Sequence, residues 1–404
     1  MLAPFRIALA SCALATLASA QDFSVAGPYG AGWTTVTVTR PNNTTFTARF
    51  TYPATANGQG QPFQPAGAPY PAISFGHGFQ QPASAYQATY SHFASWGYFV
   101  IATESESSLA PSHQNLANDL RHSLTWLEQQ DGNPSSPWFH RIDTLAFALS
   151  GHSMGGGASI LAAAADSRVS ALANFAAAET NPSAIAAIPN VVCPISLISG
   201  SADSIVPVSS NGQLMFNAAR APKILPSITG GFHCGFVDVP AFFGFGCDSG
   251  TISKAVQLAN SRRLALEFFE LNLRGRQDLW KRVWGETMKL DPALAVQGEP
   301  YARVAPYAQR VPTTAGASAV FTFDVQNTAP FADSFDVLVE GLPWPFTLSA
   351  STTGPLLPGA SVQLQCSVQV PAGTPPGLQR FTLSARRASD GATRAYGLRG
   401  VRIL

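Results

Sequence analysis

Charge is scarce in this chain. Acidic and basic residues together make up 12% of the 404 residues, and the net charge is +1. No basic stripe is present that could neutralise phosphates, so nucleic acid is excluded as a partner. Cysteine is also scarce, at five residues. No Cys/His cluster has the spacing of a zinc site, and neither a metal nor a cofactor is expected. Beyond the N-terminal segment no apolar run is long enough to span a bilayer. A monomer without a membrane span is therefore expected.

What the N-terminus has is a targeting pattern. Arg6 supplies a positive n-region, Ile7 to Leu17 an apolar stretch too short to span a bilayer, and Ala18-Ser19-Ala20 a cleavage site. This predicts an exported protein, extracellular or periplasmic, whose mature chain begins at Gln21. Leu9-Ala10-Ser11-Cys12 resembles a lipoprotein box but stands too close to Arg6 to be read as one. Export permits disulfides. Cys234 and Cys247 bracket one Gly- and Phe-rich loop and are the expected pair. Cys366 alternates with Val362, Leu364, Val368 and Val370, which reads as a core thiol on one face of a strand. Cys193 starts a strand and reads as a second free thiol.

Residues 22–300 alternate strand and helix signals. Apolar strands are expected at Pro71–Phe75, Tyr98–Thr103, Leu145–Leu149, Ala171–Phe175, Pro194–Ser199 and Lys223–Ile228. Helices are expected at Ala85–Trp96, Gln114–Gln129, Ala158–Ala165, Asn211–Ala219 and Thr251–Leu273. Such alternation predicts an α/β domain with a mostly parallel sheet covered on both faces. From Ala315 onward the chain shows only short alternating strands between Pro- and Gly-rich turns, which predicts an all-β, Ig-like sandwich. The expected division is a signal peptide (1–20), a catalytic domain (21–300) and the sandwich (301–404), with Asp291–Gln309 as linker.

The most informative stretch is Leu149-Ser150-Gly151-His152-Ser153-Met154-Gly155-Gly156-Gly157. A G-x-S-x-G pentapeptide between a buried strand and an Ala-rich helix is the context of a nucleophile elbow. A serine hydroxyl needs a general base, and that base needs an orienting carboxylate. In α/β hydrolases the chain order is serine, acid, histidine. Only His233 lies downstream of Ser153 among the histidines. Three acids lie between them. Asp166 ends the elbow helix, roughly 20 Å from the serine at ~1.5 Å per residue. Glu179 and Asp203 each follow a strand, and Asp203 in Gly200-Ser201-Ala202-Asp203 is the preferred acid. Backbone N–H groups of Met154 and Phe79 are the expected oxyanion donors. His77, in Gly76-His77-Gly78-Phe79, is expected to brace that loop. Phe79, His152, Glu179, Phe232 and Phe236 stand beside these motifs and are the expected cleft residues.

Residues Ile73 to about Trp284 resemble the bacterial cutinase and polyester-hydrolase branch of the dienelactone-hydrolase-like α/β hydrolases, which includes the PET hydrolases. The matching segments are His77-Gly78-Phe79, Phe93–Val100, Gly151–Gly157, Asp203-Ser204-Ile205-Val206-Pro207-Val208 and Gly230-Gly231-Phe232-His233. The resemblance implies an α/β-hydrolase fold, a Ser153–Asp203–His233 triad, and Phe79 and Met154 as oxyanion donors. Family members usually carry a tryptophan where this chain has Ala176-Ala177-Ala178-Glu179, so no tryptophan platform is expected here. Phe236, Phe242, Phe243 and Phe245 offer either an alternative apolar wall or packing against the body. The expected activity is hydrolysis of bulky or polymeric esters, including those at an insoluble surface, with no lid over the cleft. Short-chain soluble esters are the alternative. A catalytically retired polymer-binding protein is the alternative of another class, and Trp344 would be its binding platform or else a core residue.

Overall fold

Alternate residues along the buried strands enter two different cores, and this sets the layers. Phe99 and Ile101 join one apolar cluster, while Val100 and Ala102 join the other. Phe147 and Leu149 oppose Ala146 and Ala148 in the same way. Strand side chains alternate with a period of two, so a strand apolar at every position must be covered on both faces.

The computed structural model describes residues 21–220, 222–240, 247–299, 301–306, 308–389, 391 and 394–404. The segment expected to be a signal peptide lies outside the described residues. Ten strands form one sheet: β1 (Gly30–Thr39), β2 (Thr45–Ala54), β3 (Gly58–Gln59), β4 (Tyr70–Gly76), β5 (Phe99–Thr103), β6 (Ile142–His152), β7 (Val169–Phe175), β8 (Ile195–Gly200), β9 (Lys223–Ile228) and β10 (Leu294–Glu299). Their spatial order is β10-β9-β8-β7-β6-β4-β5-β2-β1-β3. The block from β9 to β5 is parallel, and β1, β2 and β10 add antiparallel pairings at its flanks. The helices are α1 (Gln87–Ser95), α2 (His113–Gly132), α3 (Met154–Ala164), α4 (Ala184–Ala187), α5 (Gly212–Ala218) and α6 (Lys254–Leu273).

Leu116, Leu120, Leu124 and Leu127 form one fully buried stripe on α2, as their spacing predicts. Ser112 caps α2 by accepting the Asn115 N–H at 3.2 Å. The α2, α3 and α5 side covers one face of the sheet, with α1 and α6 on the other. The expected helix at Ala85–Trp96 opens instead with a 3-10 turn over Ala83–Tyr86 before α1 begins.

The expected linker at 291–309 is a correction. Leu294–Glu299 is β10, paired antiparallel with β9 in full register from Leu294↔Ile228 to Glu299↔Lys223. Two further strands, Ala302–Ala305 and Ala308–Thr313, follow at once. Pro292, Gly298 and Pro300 punctuate the segment and read as loop, yet they leave room for a short edge strand.

Residues 302–403 form two more sheets, of four and five strands. They share one core in which Phe321 meets Phe381 edge-on at 5.1 Å. Cys366 is buried there as expected, and burial raises its thiol to about 11. Cys193 is also buried and free. Trp344 is half-buried and packs against the same core. This all-β region is fastened to the large sheet at the beginning of its central strand β6. Arg380 pairs with Glu128 at 2.6 Å and donates to the Thr144 carbonyl at 3.1 Å. Glu128 also pairs with Arg168 at 2.6 Å, Arg310 reaches Asp143 at 3.4 Å, and Leu145 packs with Leu398 and Leu378.

One buried group makes the fold sensitive to acid. His92 on α1 bonds the Phe23 carbonyl through Nε2 at 2.9 Å, and burial pushes its imidazole down from 6.5 to about 4. Between those values only the unfolded chain holds the proton. Stability should therefore fall as pH drops from about 6.5 toward about 4, by on the order of 3 kcal/mol from this residue. Melting temperature measured against pH checks this, and His92→Gln, which keeps a donor without titrating, should flatten the decline. An equally steep decline in that variant would remove His92 as the cause.

Candidate active site

β6 ends at His152 and α3 starts at Met154, leaving Ser153 alone to make the turn. Its φ is 55° and ψ −121°, a conformation that L-residues rarely adopt. Three things hold it there. The Ser153 N–H donates to the Phe175 carbonyl at 3.0 Å, and its own carbonyl accepts from Gly157 at 3.1 Å and Ala178 at 3.0 Å. Around the turn, backbones pass too close for side chains. A Cβ on Gly155 would stand 2.1 Å from the Gly76 carbonyl oxygen, and one on Gly151 would stand 2.4 Å from that of Gly155. Ser153 and the Met154 N–H thus sit at the N-terminal end of α3, where a helix favours negative charge.

The loops that bear Asp203 and His233 follow β8 and β9. Asp203 is buried, and its Oδ1 accepts the N–H groups of Ile205 at 3.0 Å and Val206 at 2.7 Å. Its Oδ2 faces His233 Nδ1 at 2.8 Å. With Nδ1 donating to Asp203, His233 Nε2 is left as a proton acceptor. His233 opens a 3-10 turn over His233–Phe236 and lies beside the elbow, its ring centroid 4.5 Å from that of His152.

Glu179 is elsewhere. It is exposed, its N–H donates to Asn211 Oδ1 at 2.9 Å, and its carboxylate accepts the Ile185 N–H at 3.0 Å at the start of α4. Asp166 is held by Arg168 at 2.6 Å at the far end of α3. Of the three acids considered, the fold brings only Asp203 to the histidine.

The loop after β4 carries Gly78 and Phe79. His77 is buried, with its ring nitrogens against the carbonyls of Gly78 at 2.9 Å and Ser105 at 2.7 Å, so it braces the loop. A second brace was not visible in the sequence. Tyr86 is fully buried; its hydroxyl accepts the Gly78 N–H at 3.0 Å and meets His152 Nδ1 at 2.9 Å. The one hydroxyl thus serves both the Gly78 N–H and the His152 ring. Burial, reinforced by neighbouring His233, holds the His152 imidazole well below its ordinary value, so it is neutral. One chain of hydrogen bonds therefore runs from the Phe79 loop to the residue next to Ser153.

The other expected cleft residues divide. Phe79 is 47% exposed at the carboxyl edge of the sheet. Phe232 is half-buried, its backbone clamped by Gln257, which accepts from its N–H at 2.9 Å and donates to its carbonyl at 2.7 Å. His152 and Phe236 are corrections to the idea of cleft walls. Both are 2% exposed, and Phe236 stacks on Phe175 at 5.8 Å beneath His152. A Phe in a Gly-rich loop gives no periodicity from which to read its facing. Phe242, Phe243 and Phe245 lie outside the described residues. Leu109 and Ile205, on the loops after β5 and β8, are 83% and 46% exposed, so the same edge as Phe79 is rimmed with apolar side chains.

Cys234 and Cys247 form the expected disulfide, with Cα atoms 5.6 Å apart. The next residue, Asp248, was not singled out by the sequence. Its carboxylate accepts N–H groups from Ser204, His233 and Cys234. Among the described residues no group of three or more His, Cys, Asp or Glu side chains is arranged to hold a metal ion.

No curated protein matches the chain. The sequence model of the family described as PETase, PET hydrolase-like, matches residues 21–238, more than half of the 404. The matched span runs from the first described residue through the elbow and the loops that bear Asp203 and His233, and the family's α/β-hydrolase fold accords with the sheet and helices of that span. With the elbow, the Phe79 loop and the paired Asp203 and His233 inside the match, the chain belongs to the PET hydrolase-like family.

Proposed function

We propose that this protein is an exported serine ester hydrolase that cleaves bulky or polymeric esters through an acyl-enzyme. The observation that carries the reading is the Asp203–His233 pair set beside a strained serine elbow. Ser153 Oγ attacks the ester carbonyl and its proton passes to His233 Nε2. Asp203 holds the ring by Nδ1 and stabilises the imidazolium. The N–H groups of Met154 and Phe79 receive the oxyanion, which costs little reorganisation because both backbones are already fixed. His233 then protonates the leaving alcohol, and a water activated by the same nitrogen releases the acid.

The apolar rim of Phe79, Leu109 and Ile205 supports bulky, water-poor substrates over small charged ones. The low share of charged residues, 12%, supports the same reading. Export is supported by the N-terminal pattern and the Cys234–Cys247 bond. The all-β region is proposed to be an Ig-like sandwich, on the strength of its two sheets and single core. A panel running from p-nitrophenyl butyrate to polyester film tests the substrate range. Activity on film and long esters supports the reading, and activity confined to butyrate favours a soluble-ester enzyme.

A fluorophosphonate should add mass at Ser153 alone, and Ser153→Ala should abolish both labelling and turnover; label elsewhere, or surviving activity, would place the nucleophile at another residue. Asp203→Asn should lower kcat by on the order of a thousandfold while the fold persists. Glu179→Gln should change kcat by less than about twofold, because Glu179 only caps α4. The opposite ranking would move the acid to the earlier loop. Tyr86→Phe leaves the Gly78 N–H and His152 Nδ1 without their shared partner. It should lower kcat by about tenfold with little change in KM, as expected for a displaced oxyanion donor. A KM effect alone would make Tyr86 a binding residue.

A further inference from the structure

The acid and base of the site ride on different loops, and each loop's position must be set to a fraction of an ångström. Direct contacts join the loops at their roots. Ala202 N–H donates to the Gly231 carbonyl at 2.7 Å, and Gly230 N–H donates to Ser201 Oγ at 2.8 Å. These contacts stop short of Asp203 and His233. The connection beyond that point comes from a third segment. Asp248 Oδ2 accepts the N–H of Ser204 at 3.2 Å and that of His233 at 2.9 Å, while Oδ1 accepts the N–H of Cys234 at 3.1 Å.

We propose that Asp248 is a positioning residue for the hydrolase reaction: its carboxylate ties the residue after the acid to the backbone of the base, and the Cys234–Cys247 disulfide anchors it there. The inference rests on the hydrolase reading above.

The chemistry suits a carboxylate. The turn His233–Phe236 presents its first N–H groups without a partner from its own N-cap, Phe232. Such orphan donors need an acceptor. One neutral side chain offers a single good acceptor atom, whereas a carboxylate offers two, with charge-assisted bonds that are shorter and stronger. Asp248 reaches two successive N–H groups of the base turn and keeps a bond to the acid loop as well.

Asp248 is itself fixed on both sides. Cys247 precedes it and is bonded to Cys234, one residue past the histidine. Two residues after it, Gly250 packs so tightly on the histidine loop that a Cβ there would stand 2.1 Å from the Gly230 carbonyl oxygen. Thr251 N–H donates to that same carbonyl at 3.0 Å. The disulfide thus joins the loop that bears the base to the residue that aligns it.

The test uses the full mature chain. In Asp248→Ala, kcat on p-nitrophenyl butyrate should fall by about tenfold or more with KM within about twofold, the pattern of lost alignment rather than lost binding. Without substrate, the downfield proton resonance of His233 Nδ1–H should broaden or exchange faster. That readout depends on the Asp203–His233 bond and not on turnover, so it stands or falls separately from the hydrolase reading, which Ser153→Ala decides. Asp248→Asn keeps one acceptor and the shape; it should give an intermediate loss in kcat and in the resonance, and it serves if the alanine variant does not fold. In a Cys234→Ser/Cys247→Ser background, Asp248→Ala should cost less than half as much in log kcat as it does in the parent, because the two act as one device. Unchanged kcat and resonance in both Asp248 variants, or a change in KM alone, would overturn the proposal, as would full additivity with the cysteine pair.

Discussion

At the elbow two backbones meet, the end of β4 and the first turn of α3. Gly155 lies so near the carbonyls of Gly76 and His77 that no side chain fits between them. This contact fixes where the elbow helix meets the sheet. The turn angle at Ser153 follows from it, and so does the separation between the Met154 N–H and the loop that bears Phe79. A serine held at φ 55° by its surroundings is strained, and the strain is sustained by three backbone hydrogen bonds and an apolar core on both sides.

Around this junction the structure repeats one device: a buried polar group bridges loops that are far apart in sequence. His77 joins the β4 loop to Ser105, Tyr86 joins it to His152, and Gln257 grips Phe232 from α6. Each bridge satisfies backbone or ring atoms that would otherwise be buried without partners. The loops at the carboxyl edge of the sheet are therefore positioned by side chains rooted in helices and strands, which keeps them rigid while their outer faces stay apolar and exposed.

Much of this was legible in the sequence because it rests on local signals. The pentapeptide needed only a strand before it and a helix behind it. The chain order of an α/β hydrolase singled out His233 and preferred Asp203, and the leucine spacing of α2 needed no partner to be read. What was illegible depends on distance. Tyr86 and His152 are 66 residues apart, and Asp248 and Ser204 are 44 apart. Neither pair has a spacing rule. β10 was read as linker because its proline and glycine neighbours mask a strand that exists only by pairing with β9. Glu179 and Asp203 share the same local context, a loop after a parallel strand; only the fold separates a helix cap from a partner for histidine.

The all-β region grips the start of β6 through Thr144 and Leu145, while Ser153 stands just past its other end. At ~3.3 Å per residue those eight steps span roughly 26 Å. The two ends of a single strand thus serve as handle and blade. The loops after β4, β5, β8 and β9 lie at the blade end, and the handle is at the opposite edge of the sheet. The all-β region is therefore set against the amino ends of the central strands, opposite the loops that carry Ser153, Asp203 and His233.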